Sequence, residues 1–84
     1  MKQELTLLDI DPGQKGIVRK LACSGSMHRR LLDIGLVENT LVECVGASPH
    51  RDPKAYLIRG AVIALRSEDS RNILLKEVSH GTHS

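Results

Sequence analysis

Eighty-four residues contain no Phe, no Trp and a single Tyr, Tyr56. That one feature limits what the chain can build. A chain of this size buries only about 60–65 % of the surface its unfolded form exposes. Without aromatic bulk, its core must be compact and aliphatic. The apolar fraction of 40 % and charged fraction of 26 % allow such a core in one domain. The lone aromatic also argues against single-stranded nucleic acid as a partner, because bases are held by stacking on several rings. Net charge is only +2, with the signs interspersed, which is weak support for bulk binding to DNA or to an anionic membrane.

No apolar run approaches the ~20 residues of a membrane span, so direct membrane insertion is not expected. The opening residues carry acids and alternate too early for a secretory signal. The expectation is a soluble cytoplasmic protein. Cys23 and Cys44 are the only cysteines, too few for a disulfide framework.

Along the chain, Leu5, Leu7 and Leu8 predict a short strand. Asp11-Pro12-Gly13 predicts a type II turn, with Pro12 presetting φ and Gly13 supplying positive φ. "GIVRKLAC" alternates as a half-buried strand. Ser24-Gly25-Ser26 breaks it and offers hydroxyl N-caps. "MHRRLLDIG" has helical period, with Met27, Leu31 and Ile34 on one stripe and Leu32 widening it. Arg29 and Asp33 are spaced to pair on the outer face.

A helix-to-strand corner follows. Gly35 stands where a left-handed terminating residue belongs, Leu36 and Val37 are expected to pack the bend, and Asn39 tolerates positive φ. "TLVECVGA" then alternates, with Val42 and Cys44 on one face. "SPHRDP" is a polar loop stiffened by Pro49 and Pro53. "KAYLIRG" and "AVIALR" read as two strands joined at Arg59-Gly60, with Gly60 relieving the turn. Ser67 is the expected N-cap of a two-turn helix over "SEDSRNI", "LLKEV" is a last strand, and "SHGTHS" a frayed end. The domain thus spans 1–79, with 80–84 as a flexible tail. Five or six short strands with two short helices predict a small β-rich barrel. Pattern alone does not separate an SH3-like barrel from an OB-fold.

The segments "PGQKGIVRKL", "RRLLDIGLVENTLVECV" and "SPHRDPKAYLIRGAVIALRSEDSRNILL", in that order, resemble the FeoA family of small proteins associated with ferrous iron uptake. The resemblance covers roughly Leu5 to Val78. It is carried by Pro12-Gly13, by Leu31, Leu32, Asp33, Gly35, Leu36 and Thr40, by Asp52-Pro53, and by Tyr56, Gly60 and Ala64-Leu65-Arg66. Asn39 stands where the family usually has Gly, and Arg51 where Gly often precedes Asp52, which makes that loop tip more basic.

The resemblance implies an SH3-like β-barrel. It also implies a non-enzymatic accessory and regulatory role in ferrous iron transport, exerted on a FeoB-type, GTPase-coupled membrane transporter. That places the protein in the cytoplasm, held at the inner face of the membrane through its partner. FeoA-like domains also end iron-dependent repressors, so a regulatory partner of such a repressor is an alternative. A transition-metal carrier or sensor is another. Monomer and weak homo-oligomer stay open.

Site residues divide by chemistry. Arg29 and Arg30 could offer a guanidinium to a transferring phosphate. Partner docking falls to one barrel face, to the corner with Asp33, Leu36 and Asn39, or to the loop with His50, Arg51, Asp52 and Pro53. Cys23, His28, Cys44 and His50, with Asp52, are the metal-ligating types, but they form no compact ligand motif. No cofactor is required, and a transient Fe(II) or other divalent transition metal is the one left open. His80 and His83 would take Ni or Cu only adventitiously. Ser24, Ser26, His28, Asp33 and His50 include the side chains of a hydrolytic triad, but no nucleophile elbow or phosphate loop positions them.

Overall fold

The computed structural model describes residues 4–50 and 52–80. Its strands are β1 (Leu5–Thr6), β2 (Gln14–Leu21), β3 (Leu41–Ala47), β4 (Lys54–Ile58), β5 (Ala61–Leu65) and β6 (Ile73–His80). Its helices are α1 (Gly25–Ile34) and α2 (Ser67–Ser70), and a 3₁₀ turn, Leu7–Asp9, follows β1. One antiparallel sheet takes the order β1-β6-β2-β3-β4-β5. Strand and helix numbers match the expected class.

β1 is shorter than its leucines predict. The Thr6 hydroxyl oxygen accepts from the Leu8 N–H at 3.2 Å, and the Asp9 carboxylate accepts from the Thr6 N–H at 2.8 Å. This capping box turns the chain out of the sheet and drives Leu7 into the core, where it is fully buried. Gln14 then donates its N–H to the Asp11 carbonyl at 2.9 Å, closing the expected turn with Gly13 at φ +97°.

Bulges coil the sheet. Two interrupt the β2–β6 ladder, at Ile17/Val18 and Val18/Lys20, and one lies at Cys44/Gly46 between β3 and β4. A Cβ on Gly16 would sit 2.7 Å from Leu75 Cδ1 and 3.2 Å from the Glu77 carbonyl oxygen, so a side chain there would force Leu75 to shift. The coiling brings β4 against the segment after β1. Tyr56 donates its hydroxyl to the Leu7 carbonyl at 3.2 Å. Lys54 Nζ donates to the Leu8 and Ile10 carbonyls, both at 2.9 Å. Side chains, not a strand ladder, thus close the barrel around an aliphatic core of which Val18, Leu31, Val42, Ile58 and Ile73 are members.

α1 buries Leu31 fully, with Met27 and Ile34 at the core's border. Leu32, expected to widen that stripe, instead faces out at 39 % exposure. Its position is about 100° round the helix from Leu31, beyond the half-buried arc. The helix begins at Gly25 with Ser24 in the N-cap position, and the Ser24 side chain makes no capping hydrogen bond.

The corner behaves largely as expected. Gly35 has φ +114°, its N–H donates to the Leu32 carbonyl at 2.9 Å, and the Leu36 N–H donates to the Leu31 carbonyl at 3.1 Å. These are the two bonds of a Schellman motif, and both Leu31 and Leu36 are fully buried. Asn39 takes φ +75° and its N–H donates to the Val18 carbonyl, which pins the corner to β2. Val37 departs from expectation and stands 40 % exposed.

Towards the end of the chain three expectations are corrected. α2 is one turn, not two. Ser67 is its first residue, and the N-cap is Arg66. β6 continues through Ser79 to His80, which pair in backbone register with Lys15 and Gln14, so the ladder covers the first two residues of the stretch read as a frayed end; residues 81–84 of that stretch lie outside the described residues. Arg51, His83 and the side chain of His80 lie outside the described residues.

Candidate functional site

Three surfaces carry the residues singled out in the sequence. The first is α1. Arg30 reaches across to α2 and pairs with the buried carboxylate of Asp69 at 2.5 Å. Met27 Sδ accepts from the Asn72 amide on the same side. These contacts tie one flank of α1 to α2 and to the turn after it, with the Arg30 side chain still 58 % exposed. Arg29 and Asp33, spaced to pair, make no ion pair with each other; both are exposed and line a shallow depression with Ser26, His28 and Leu32. The two arginines therefore differ: Arg30 is held in the fold, and Arg29 stands out from it.

The second surface is the loop before β4. It closes on itself, with the Ser48 N–H donating to the Pro53 carbonyl at 3.2 Å and the Asp52 N–H donating to Ser48 Oγ at 3.0 Å. The Asp52 carboxylate accepts the Ser67 N–H at 2.9 Å and the Ser67 hydroxyl at 3.0 Å. Those two bonds, main chain first, hold its pKa below the ordinary 3.8, and Arg66 adds to the effect. Asp52 is thus the cap that α2 lacks locally, delivered from another loop. His50 is exposed, and Pro53 is half-buried in a cis Asp52-Pro53 peptide.

The third is a groove along the corner, lined by Val37, Asn39, Leu41, Leu57 and Arg59 together with Lys15 and Glu43. Lys76 donates to the Asn39 side-chain oxygen. Leu36, named as a docking residue from the sequence, is fully buried beneath this surface and packs the corner instead. Arg59 takes φ +50° next to Gly60 at +88°, giving the tight hairpin. Its stem lies over Gly35, where a Cβ would come within 2.6 Å of Arg59 Cδ.

The metal-ligating types are not brought together. Cys44 is fully buried, with its Sγ donating to the Gly46 carbonyl. The His28 Nδ1 meets the carbonyl of Cys23, not its thiol, at 3.0 Å; a carbonyl only accepts, so that nitrogen carries the proton. Among the described residues no group of three or more His, Cys, Asp or Glu side chains could hold an ion together.

Two residues that the sequence did not single out as polar anchors are Lys54 and Tyr56. Lys54 is only 5 % exposed, with its ammonium on two carbonyls and 3.9 Å from Asp11 Oδ1. Tyr56 is fully buried, and that burial pushes its phenol up to about 12. The nearby Ser70 hydroxyl pulls the other way, although its contact falls short of hydrogen-bond geometry and leaves Ser70 Oγ buried without a partner. The available signal was alternation, since Lys54, Tyr56 and Ile58 share one face of β4.

Known proteins with this arrangement were found by sequence and by shape. A Porphyromonas gingivalis protein described as an Fe(2+) transport protein A/Fe(2+) transporter FeoB fusion is 26 % identical over 80 residues. The match takes in 95 % of this chain and only 10 % of that much longer protein. The solution structure of a FeoA-like protein from Clostridium acetobutylicum superposes with a TM-score of 0.81 at 26 % identity, covering 90 % of this chain and 88 % of that one. A Stenotrophomonas maltophilia FeoA crystallised with zinc, described as a prokaryotic SH3 domain protein, shares the fold with a TM-score of 0.84 at 18 % identity, over 93 % and 99 % of the two chains. The family model for the FeoA domain matches residues 5–77, and the chain belongs to that family.

Proposed function

We propose that this protein is a non-enzymatic accessory and regulator of ferrous iron uptake that works by docking on a FeoB-type transporter. The observation that carries the reading is the Porphyromonas gingivalis relative, in which a segment like this chain is joined covalently to a transporter. Fusion holds two parts at high effective concentration, which serves parts that act on each other. Preferential binding to one transporter state would shift that state's population, and no chemistry in this chain is needed for that.

The docking surface is the outward flank of α1 continued by the corner. Leu32 and Val37, 39 % and 40 % exposed, offer apolar anchors, and Arg29 and Asp33 offer charge beside them. Tying of the opposite flank through Arg30–Asp69 presents this face on a rigid helix, so little ordering is lost on binding.

The test is titration of the protein against the transporter's cytosolic GTPase domain and against the whole transporter, with and without nucleotide, repeated with Fe(II) under anaerobic conditions. The expected result is saturable binding that Leu32→Asp weakens about tenfold or more without lowering Tm. Absence of binding to either form of the transporter would overturn the reading.

A further inference from the structure

The open edge of β5 has not been absorbed by the fold or by the surfaces above. β5 pairs with β4 alone and ends the sheet. Its residues, Ala61 to Leu65, contain no charge and no proline, the usual guards of an exposed edge. Val62 is 65 % exposed, and Ala61 and Ala64 are exposed as well.

Hairpin geometry says which backbone groups are open. Across a two-residue turn the closing pair, Ile58 and Ala61, exchanges both main-chain bonds, and alternation repeats this at Tyr56–Ile63 and Lys54–Leu65. Val62 and Ala64 therefore aim their N–H and C=O groups away from β4, and no other described segment bonds to them. Along its whole length, a donor–acceptor row of this kind is complemented by an extended backbone.

Charge narrows the occupant. Arg59 precedes the strand and Arg66 follows it, both exposed. Arg66 has the Asp52 carboxylate nearby, which keeps its charge while accepting from Ser67, whereas among the described residues no ion pair engages Arg59. A second copy paired antiparallel about Ile63 would set Arg66 beside the partner's Arg59-Gly60 turn at both ends, like charge against like. We propose that the β5 edge receives an extended apolar segment of another protein, flanked by acidic residues that meet Arg59 and Arg66. This stands apart from the transporter reading, and either can fail without the other.

The test uses the full chain and an acetylated, amidated peptide, Asp-Val-Thr-Val-Thr-Ile-Asp, followed by amide chemical shifts and hydrogen exchange. Saturable shifts centred on Val62 and Ala64, with slowed exchange at those two amides, are expected. A peptide with Lys in place of both Asp residues should bind roughly five- to tenfold more weakly at low salt. Ala64→Pro removes an N–H that β4 does not use and should abolish binding. Should that variant not fold, Val62→Glu tests the same edge by repelling the acidic ends. No shifts at millimolar peptide, shifts centred elsewhere, or equal affinity for both peptides would overturn the proposal. So would concentration-dependent protection of these two amides without peptide, which would give the edge to a second copy.

Discussion

Replacing Lys54 with Met tests how the barrel is closed. The Met side chain keeps most of the lysine stem and its packing but removes the donor. Two carbonyls, those of Leu8 and Ile10, then lose charge-assisted bonds of 2.9 Å in a site where the residue is only 5 % exposed. Each such bond contributes about 1.5–3 kcal/mol, and part of that is returned because the ammonium no longer has to be desolvated. The net loss is about 2–4 kcal/mol, a large share of the roughly 5–15 kcal/mol that holds a small domain together. At roughly 4–8 °C per kcal/mol, Tm should fall by about 8–32 °C. Urea unfolding followed by circular dichroism would measure the loss directly, with an unchanged slope indicating that the folded state stays compact. Lys54→Arg, which keeps the charge and donors, should recover part of it. The loss should also loosen the Leu7–Asp9 turn, so the Tyr56 phenol above it should titrate nearer its ordinary 10. A Met variant within about 0.5 kcal/mol of the parent, with Tyr56 unmoved, would refute closure by these bonds.

Tyr56 is the only aromatic side chain, so the phenolate absorbance band reports one group: its midpoint should lie at about 12 in the folded protein against 10 when unfolded. Because the folded value is raised, this contribution is complete below pH 10 and is lost as pH rises towards 12, about 2–3 kcal/mol in all. For Asp52 the sign is opposite: its lowered pKa gives stability that is complete above the unfolded carboxylate value and is lost as pH falls through the folded one. Asp52→Asn should therefore flatten the acid limb of the urea midpoint measured against pH. Gly35→Ala should cost about 1–3 kcal/mol, because Ala resists φ +114° and its Cβ would meet Arg59 Cδ. Adding Arg59→Ala should relieve the clash but not the backbone strain, a partial rescue visible in a double-mutant cycle.

The corner was legible in the sequence because each of its requirements is met within a few residues. Gly35 supplies the left-handed terminus, Leu31 and Leu36 the apolar contact that accompanies it, and Asn39 the second positive φ. What the sequence concealed depends on partners far along the chain. Ser67 looks like a cap because serine is a good one, yet it donates to Asp52, fifteen positions earlier. Arg29 and Arg30 look equivalent, and only Asp69, 39 positions away, separates them. Lys54 was hidden differently: alternation puts it inside with Tyr56 and Ile58, but lysine is ordinarily an outside residue. Its inward position makes sense only after the 3₁₀ turn has left carbonyls for it to cap.

The same long-range bonds connect the shortage of aromatic side chains to the surfaces available for binding. A core of Leu, Ile and Val, with one Tyr, offers limited apolar area for closing a six-stranded sheet. Lys54 and Tyr56 close it instead through three hydrogen bonds to carbonyls beside β1. Closure by side chains satisfies those carbonyls but recruits no main-chain groups from β5. The strand next to the seam therefore keeps an outward row at Val62 and Ala64 that a continuous strand ladder would have consumed. An SH3-like barrel built this way carries an unguarded edge as a consequence of how it is sealed. Strengthening the seam with additional side-chain contacts should stabilise the fold and leave strand addition at β5 unchanged.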